Sequence, residues 1–139
     1  MIVVDTNILV ALFFKTLDYE FVAKVLEFDS DWAVPYLWRS EFRNVLSGYV
    51  RKELISFPTA ILIMEKAENL MQGREYRVSS DQVLVLAQQA HCSVYDCEFV
   101  ALAENLSSIL VTRDHGILKS FPEIALSPEK YIQIRETHD

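Results

Sequence analysis

A chain of 139 residues has room for one domain, taken as residues 1–139, and its 51% hydrophobic content against 24% charged argues against wholesale disorder. The longest apolar run, Ile8–Phe14, is too short to span a bilayer, and no basic stretch precedes an apolar run near Met1, so a cytoplasmic location is expected. A net charge of −7 opposes the basic footprint that nucleic-acid binding usually leaves, yet two bound divalent cations would add four charges and leave −3, so charge alone excludes no such partner.

Ile2–Val4 reads as a buried strand entering the turn-forming Asp5-Thr6-Asn7. Helices are predicted over 7–14 and 18–28, the second capped by Asp18. Trp32-Ala33-Val34, before Pro35, is a short strand. A long helix follows over about 36–52, and another over about 58–71, started by Ser56 and Pro58 and stopped at Gly73. Tyr76-Arg77-Val78 is extended, and helices then cover about 81–90 and 94–106, the latter capped by Ser93. Ser108–Thr112 is a strand, Asp114–Lys119 a short helix and Ile124–Leu126 a last strand. Strands alternating with helices give an α/β fold whose parallel sheet is covered on both faces. Ligands of such sheets bind beyond the carboxyl ends of the strands, where Asp5 and Asp114 both fall.

Cys92 and Cys97 are too few for a disulfide framework and suit a reducing compartment. A zinc site can be drawn from His91, Cys92, Cys97 and His115, but its spacing fits no standard pattern.

Three candidate acids have a plain alternative as helix caps: Asp5 and Asp114 just past strands, and Asp96 three residues after Ser93. Glu41 does not. With Trp38 at 0° and about 100° per residue, Glu41 falls at about −60°, between Leu37 at about −100° and Val45 at about −20°. A carboxylate in that apolar arc needs a partner, yet Arg39 and Arg43 project at about +100° and +140°. Its partner is either a Lys or Arg elsewhere or a metal ion. Acids crowded at one sheet edge repel without a counter-charge, and hard oxygen ligands select Mg²⁺ or Mn²⁺. Such a site suits phosphodiester hydrolysis; no Ser-His-Asp set, Cys-His set or Gly-rich phosphate loop is evident.

Val4-Asp5-Thr6-Asn7-Ile8-Leu9, Ser40-Glu41-Phe42, Tyr95–Ala103 and Leu110-Val111-Thr112-Arg113-Asp114 resemble, in order and spacing, the motifs of PIN domains. More narrowly they resemble the VapC toxins of toxin–antitoxin pairs, with a match reaching the Ser127–Tyr131 tail. The resemblance implies a three-layer α/β/α PIN-like fold with a parallel sheet of about five strands. It implies a Mg²⁺- or Mn²⁺-dependent endoribonuclease acting on RNA through a metal-activated water, homodimeric and neutralised by a cognate antitoxin. By position, Asp5, Glu41, Asp96 and Asp114 would be the metal ligands, with Asn7 and Thr112 supporting or orienting the site. The chain departs from the pattern once: many relatives place another acid shortly after the fourth motif aspartate, where this chain has His115-Gly116-Ile117-Leu118.

Arg113 is a candidate phosphate contact or an ordinary ion pair, and Arg39, Arg43, Arg51 and Lys52 a candidate basic edge or a merely solvated face. His115 is a candidate for proton transfer or an exposed helix-start histidine. Trp32, Trp38, Phe42 and Tyr49 read as core or dimer contacts, with base stacking as the alternative. Two rival functions stand: a non-catalytic PIN-fold module binding RNA or protein, and an aspartyl-phosphate phosphatase. The phosphatase generally wants a second acid two residues after the nucleophile, where Asn7 stands. The apolar 36–71 hairpin offers more surface than one thin sheet can cover, which points to a two-fold dimer.

Overall fold

Ile2, Val3 and Val4 are all buried, as a strand with helices on both faces requires, and they form the central strand of the sheet. In the computed structural model, which describes residues 1–138, the elements run β1 (Ile2–Val4), α1 (Thr6–Phe14), α2 (Tyr19–Phe28), β2 (Trp32–Pro35), α3 (Leu37–Arg51), α4 (Phe57–Met71) and β3 (Glu75–Tyr76). They continue with α5 (Ser80–Gln89), α6 (Val94–Asn105), β4 (Leu110–Val111), α7 (His115–Ser120), β5 (Ala125–Leu126) and α8 (Pro128–His138). The result is a three-layer α/β/α fold on a five-stranded, all-parallel sheet in the order β3-β2-β1-β4-β5.

That order reverses at β1: the chain builds outward to β2 and β3, then returns to add β4 and β5 on the other side. The crevice between the carboxyl ends of β1 and β4 is therefore the topological switch point, where ligands of open α/β sheets bind. Val3 pairs with Leu110 and Val4 with Val111, so Asp5 and Thr112 leave the sheet side by side. Helix α6 lies against β1, β2 and β4 with α5 across it. Cys97 and Phe99–Ala103 are buried, and a helix apolar around most of its girth is one enclosed on several sides.

Three expectations shift. The third strand lies at Glu75–Tyr76 rather than Tyr76–Val78, and the Glu75 carboxylate is paired with Arg39. Its Nε and Nη2 donate to the two Glu75 carboxylate oxygens at 2.6 and 2.8 Å, and its Nη1 to Glu68 at 2.6 Å. Trp38 Nε1 adds 2.8 Å to the same carboxylate. Arg39 thus ties α3 to α4 and β3 and leaves the candidate basic edge. Asp18 precedes α2 but makes no capping hydrogen bond, since its carboxylate meets Arg113 Nη2 at 2.9 Å instead. Finally, α8 was not predicted. Its Tyr131 and Ile132 are buried and it packs along α2, with the Arg135 guanidinium over the Phe28 ring and donating to the Phe28 carbonyl.

Glu75, with its side chain 7% exposed, depends on Arg39 for its charge. Arg39→Ala should therefore destabilise the protein by about 2–3 kcal/mol, the scale of stranding a buried charge at a half-buried pair. Glu75→Gln should cost less, because the Trp38 bond survives. Urea unfolding of both variants at neutral pH checks the order, and equal losses would contradict it.

Candidate active site

Asp5, Glu41, Asp96 and Asp114 line one open groove of about 600 Å³ at the switch point, together with Thr6 and Asn7. Thr112, the sixth residue expected from sequence, is fully buried behind that wall. All six are brought to one place by four segments.

Asp5 leaves β1 in an extended conformation and caps α1, its Oδ1 accepting from Thr6 N at 2.7 Å. Its Oδ2 accepts from Thr112 Oγ1 at 2.7 Å and from Asn7 Nδ2 at 3.4 Å. The carboxylate is 7% exposed, and among the described residues no Lys or Arg pairs with it. Burial therefore raises its pKa to about 7, the Thr112 bond working against the rise and the Glu41 and Asp96 charges adding to it.

Glu41 sits where the apolar face of α3 gives way to the groove. Trp38, Phe42 and Leu46 are buried, whereas Leu37, Glu41 and Val45 are half-buried. The remote Lys or Arg partner considered from sequence does not exist among the described residues. The Glu41 carboxylate accepts instead from Thr6 Oγ1 at 2.6 Å. Burial raises its pKa, the Thr6 bond opposes the rise, and the Asp96 and Glu98 charges reinforce it.

Asp96 lies in the first turn of α6, where its backbone N donates to the Ser93 hydroxyl at 3.0 Å. Burial and the charge of Asp114 raise its pKa. Asp114 caps α7 by accepting from Ile117 N at 2.8 Å, and its own N–H donates to Thr112 Oγ1 at 3.0 Å. The capping readings were thus correct for Asp5 and Asp114, and they account for one oxygen of each carboxylate; the second Asp5 oxygen is held by Thr112 and Asn7. Asn7 closes the frame across the switch point, its Oδ1 accepting from Arg113 N at 3.2 Å.

The Arg113 guanidinium pairs with Glu129 and Asp18, so it braces α8 and the start of α2 rather than facing the groove. His115 is exposed and outside the groove lining, and of the candidate basic edge only Lys52 reaches it. The drawn zinc set is dispersed: Cys97 is buried while His91 and His115 are exposed, and no such group forms among the described residues. Two residues passed over as site members matter. Thr6 holds Glu41, and Gly116 leaves room for Asp114, since a Cβ there would lie 3.1 Å from Asp114 Oδ1. A small residue two positions after a motif aspartate is the one signal that pointed to the latter.

Among the described residues, no three Asp, Glu, His or Cys side chains close around a point as a cage would. Mg²⁺ seldom requires one; it keeps several waters and takes one or two carboxylates, so an open wall of hard oxygens fits it. The upward pKa shifts fit too, because mutual repulsion of these acids is relieved by a cation.

The sequence profile described as PIN domain matches residues 2–124. Among solved structures, the chain is similar to PAE2754 from Pyrobaculum aerophilum, with a TM-score of 0.74 at 23% identity over 97% of this chain and 96% of that one. It is similar to a chain of a toxin-antitoxin complex from Klebsiella pneumoniae (TM-score 0.67, 17% identity, 92% and 98% covered). FitAcB from Neisseria gonorrhoeae gives 0.67 at 18% identity, with 93% and 99% covered. At these identities the likeness is one of fold. No protein of curated function matches the chain.

Without metal, folded Asp5 holds its proton to about pH 7, whereas its ordinary value is 3.8. The folded state is then the more protonated one between those values, so rising pH favours unfolding across about pH 4 to 7. Glu75 and Glu129, held low by arginines, act below that window. The melting temperature in chelator should fall across it, and Asp5→Asn should flatten the fall. A wild-type profile that rises through the window would contradict the buried, unpaired carboxylate.

Proposed function

This chain belongs to the PIN domain family, and from that premise we propose that it is a Mg²⁺- or Mn²⁺-dependent endoribonuclease, the toxin of a toxin–antitoxin pair. The observation that carries the reading is the set of four carboxylates on one groove at the switch point, none of them paired with a Lys or Arg among the described residues. A binding module has no use for four acids where phosphate must approach. Asp5, Glu41, Asp96 and Asp114 would hold the metal, which supplies Lewis acidity toward the phosphodiester and lowers the pKa of water.

The chain's own part is placement. Thr112 and Thr6 fix the orientation of Asp5 and Glu41 through donated hydrogen bonds, which favour the ionised form against burial. Asn7 and the α7 cap hold the β4 exit, and hence Asp114, against β1. Glu41, at the half-buried margin, can accept a proton from water attacking phosphorus; Asp5, which lines the groove but is more deeply buried, is less open to substrate.

The toxin assignment is supported by the family and by one similar fold, the chain of the toxin-antitoxin complex from Klebsiella pneumoniae. Its partner would be a cognate antitoxin, and its compartment the cytoplasm. A homodimer is proposed through the α3–α4 hairpin, where Phe57, Ile61 and Leu62 are 66%, 45% and 56% exposed beside an apolar groove. Light scattering at micromolar concentration should give twice the mass of the 16.1 kDa chain; a monomer removes that interface.

Glu41→Gln keeps an acceptor for Thr6 while removing the charge. RNA cleavage in Mg²⁺ or Mn²⁺ should fall by at least about a hundredfold with the melting temperature retained or raised. A variant that cleaves at the wild-type rate would sink the four-carboxylate site. Hydrolysis of a small phosphate ester in place of RNA would favour a phosphatase.

A further inference from the structure

The groove does not end at the acids. It continues along α3 past Asn44 and Gly48 to Tyr49 and Lys52. On the helical wheel Glu41, Gly48 and Lys52 fall at about −60°, −80° and −40°, one straight line that runs about 16 Å along the axis. Gly48 is unusual on that line. It stands inside a helix, where glycine is unfavourable relative to alanine, yet a Cβ built on it meets nothing within 4 Å. Neither packing nor backbone demands a glycine there; its consequence is a gap in the groove floor. Tyr49, half-buried, flanks the gap with its ring held edge-to-face by Phe14 at 4.5 Å. Lys52, whose N–H bonds the Gly48 carbonyl, is exposed, has no ion pair among the described residues and is the one Lys or Arg lining the groove.

We infer that the Asn44–Lys52 face of α3 is a track for single-stranded nucleic acid, on which Lys52 pairs with a phosphate a few nucleotides from the bond cut and the Gly48 gap admits a nucleoside beside Tyr49. The occupant follows from the groove. Acids needing cations at one end and a free ammonium at the other match a polyanion that carries metal at one phosphate. A groove of about 600 Å³ is on the scale of a small-ligand site, which suits a short segment of one strand. The inference deepens the proposed nuclease reading and rests on it.

The test uses Lys52→Gln, Gly48→Leu and the control Gly48→Ala. In a Glu41→Gln background that does not cut, fluorescence anisotropy follows binding of a short labelled oligouridylate as salt is raised. Lys52→Gln should reduce the slope of log K against log salt by about 0.7, one phosphate of a single strand. Gly48→Leu should weaken binding at least about tenfold with the slope unchanged, as a side chain filling a nucleoside's place would. Both glycine variants should melt no lower than the parent. In the cutting protein, Lys52→Gln and Gly48→Leu should raise KM with kcat little changed, and the Lys52→Gln effect should vanish on a dinucleotide too short to reach it. If the wild type cuts RNA but neither variant alters binding or KM, the track is wrong and the nuclease reading stands. If the wild type cuts no RNA but the slope and gap effects appear, the nuclease reading fails and the strand track stands. If neither cutting nor these effects appear, both fall.

Discussion

A carboxylate buried at the switch point of a parallel sheet, with no Lys or Arg paired to it among the described residues, is the constraint around which this molecule is arranged. Asp5 cannot move away, because its backbone N–H is bonded to the Val111 carbonyl at 3.0 Å and its side chain starts α1. It is tolerated because Thr6 N, Thr112 Oγ1 and Asn7 Nδ2 all donate to it. Each of those donors is fixed by the fold: two by the first turn of α1, one by the register that sets Val4 against Val111. The sheet order places the carboxylate, and the donors fix how it faces. What they leave is a group whose pKa is held near neutrality and whose charge is still uncompensated.

The arginines that might have compensated it are engaged elsewhere. Arg39 holds Glu75 and Glu68, tying α3 and α4 to the edge strand β3. Arg113, next to Asp114 in sequence, turns to Asp18 and Glu129 and ties α2 and α8 to the exit of β4. Both are framing residues: they fix the elements that carry Glu41 and Asp114 while keeping guanidinium groups out of the groove. An arginine directed inward would have paired with the acids and closed them to any outside cation. The site stays available because the strong ion pairs lie around it and not in it.

How much of this could be read from the chain depended on whether local pattern or distant partners decided the matter. The sheet, its helices and the strand exits were legible because buried parallel strands and capped helices leave short, local signals. Glu41 was legible for a stronger reason: a carboxylate in an apolar arc has no local explanation, and the structure supplies no ionic one. Where a tertiary partner decided the outcome, the reading failed. The third strand was expected from Tyr76 and starts at Glu75, which Arg39 meets, and Asp18 looked like a cap until Arg113 drew it away. Helix α8 has three buried residues, Pro128, Tyr131 and Ile132, and an arginine lying over Phe28, too thin a stripe to be seen without α2 beside it. Thr6 was visible as a cap residue, but nothing local links it to a glutamate 35 positions on.

The net charge of −7 illustrates the same division between composition and placement. Taken as a sum it argues against a polyanionic ligand, and for an evenly spread surface that argument would hold. Here part of the negative charge is concentrated in one groove, where screening is weaker than at an open surface and burial first, with mutual repulsion adding to it, lifts three of the carboxylate pKa values. On the proposed reading, such a region would gain most from a divalent cation, which would offset the acids and meet phosphate within walls of fixed geometry. The charge that makes the groove costly to fold would then be the property that draws a cation to it. An overall charge cannot report this, because the sign that substrate meets is set by what the groove holds.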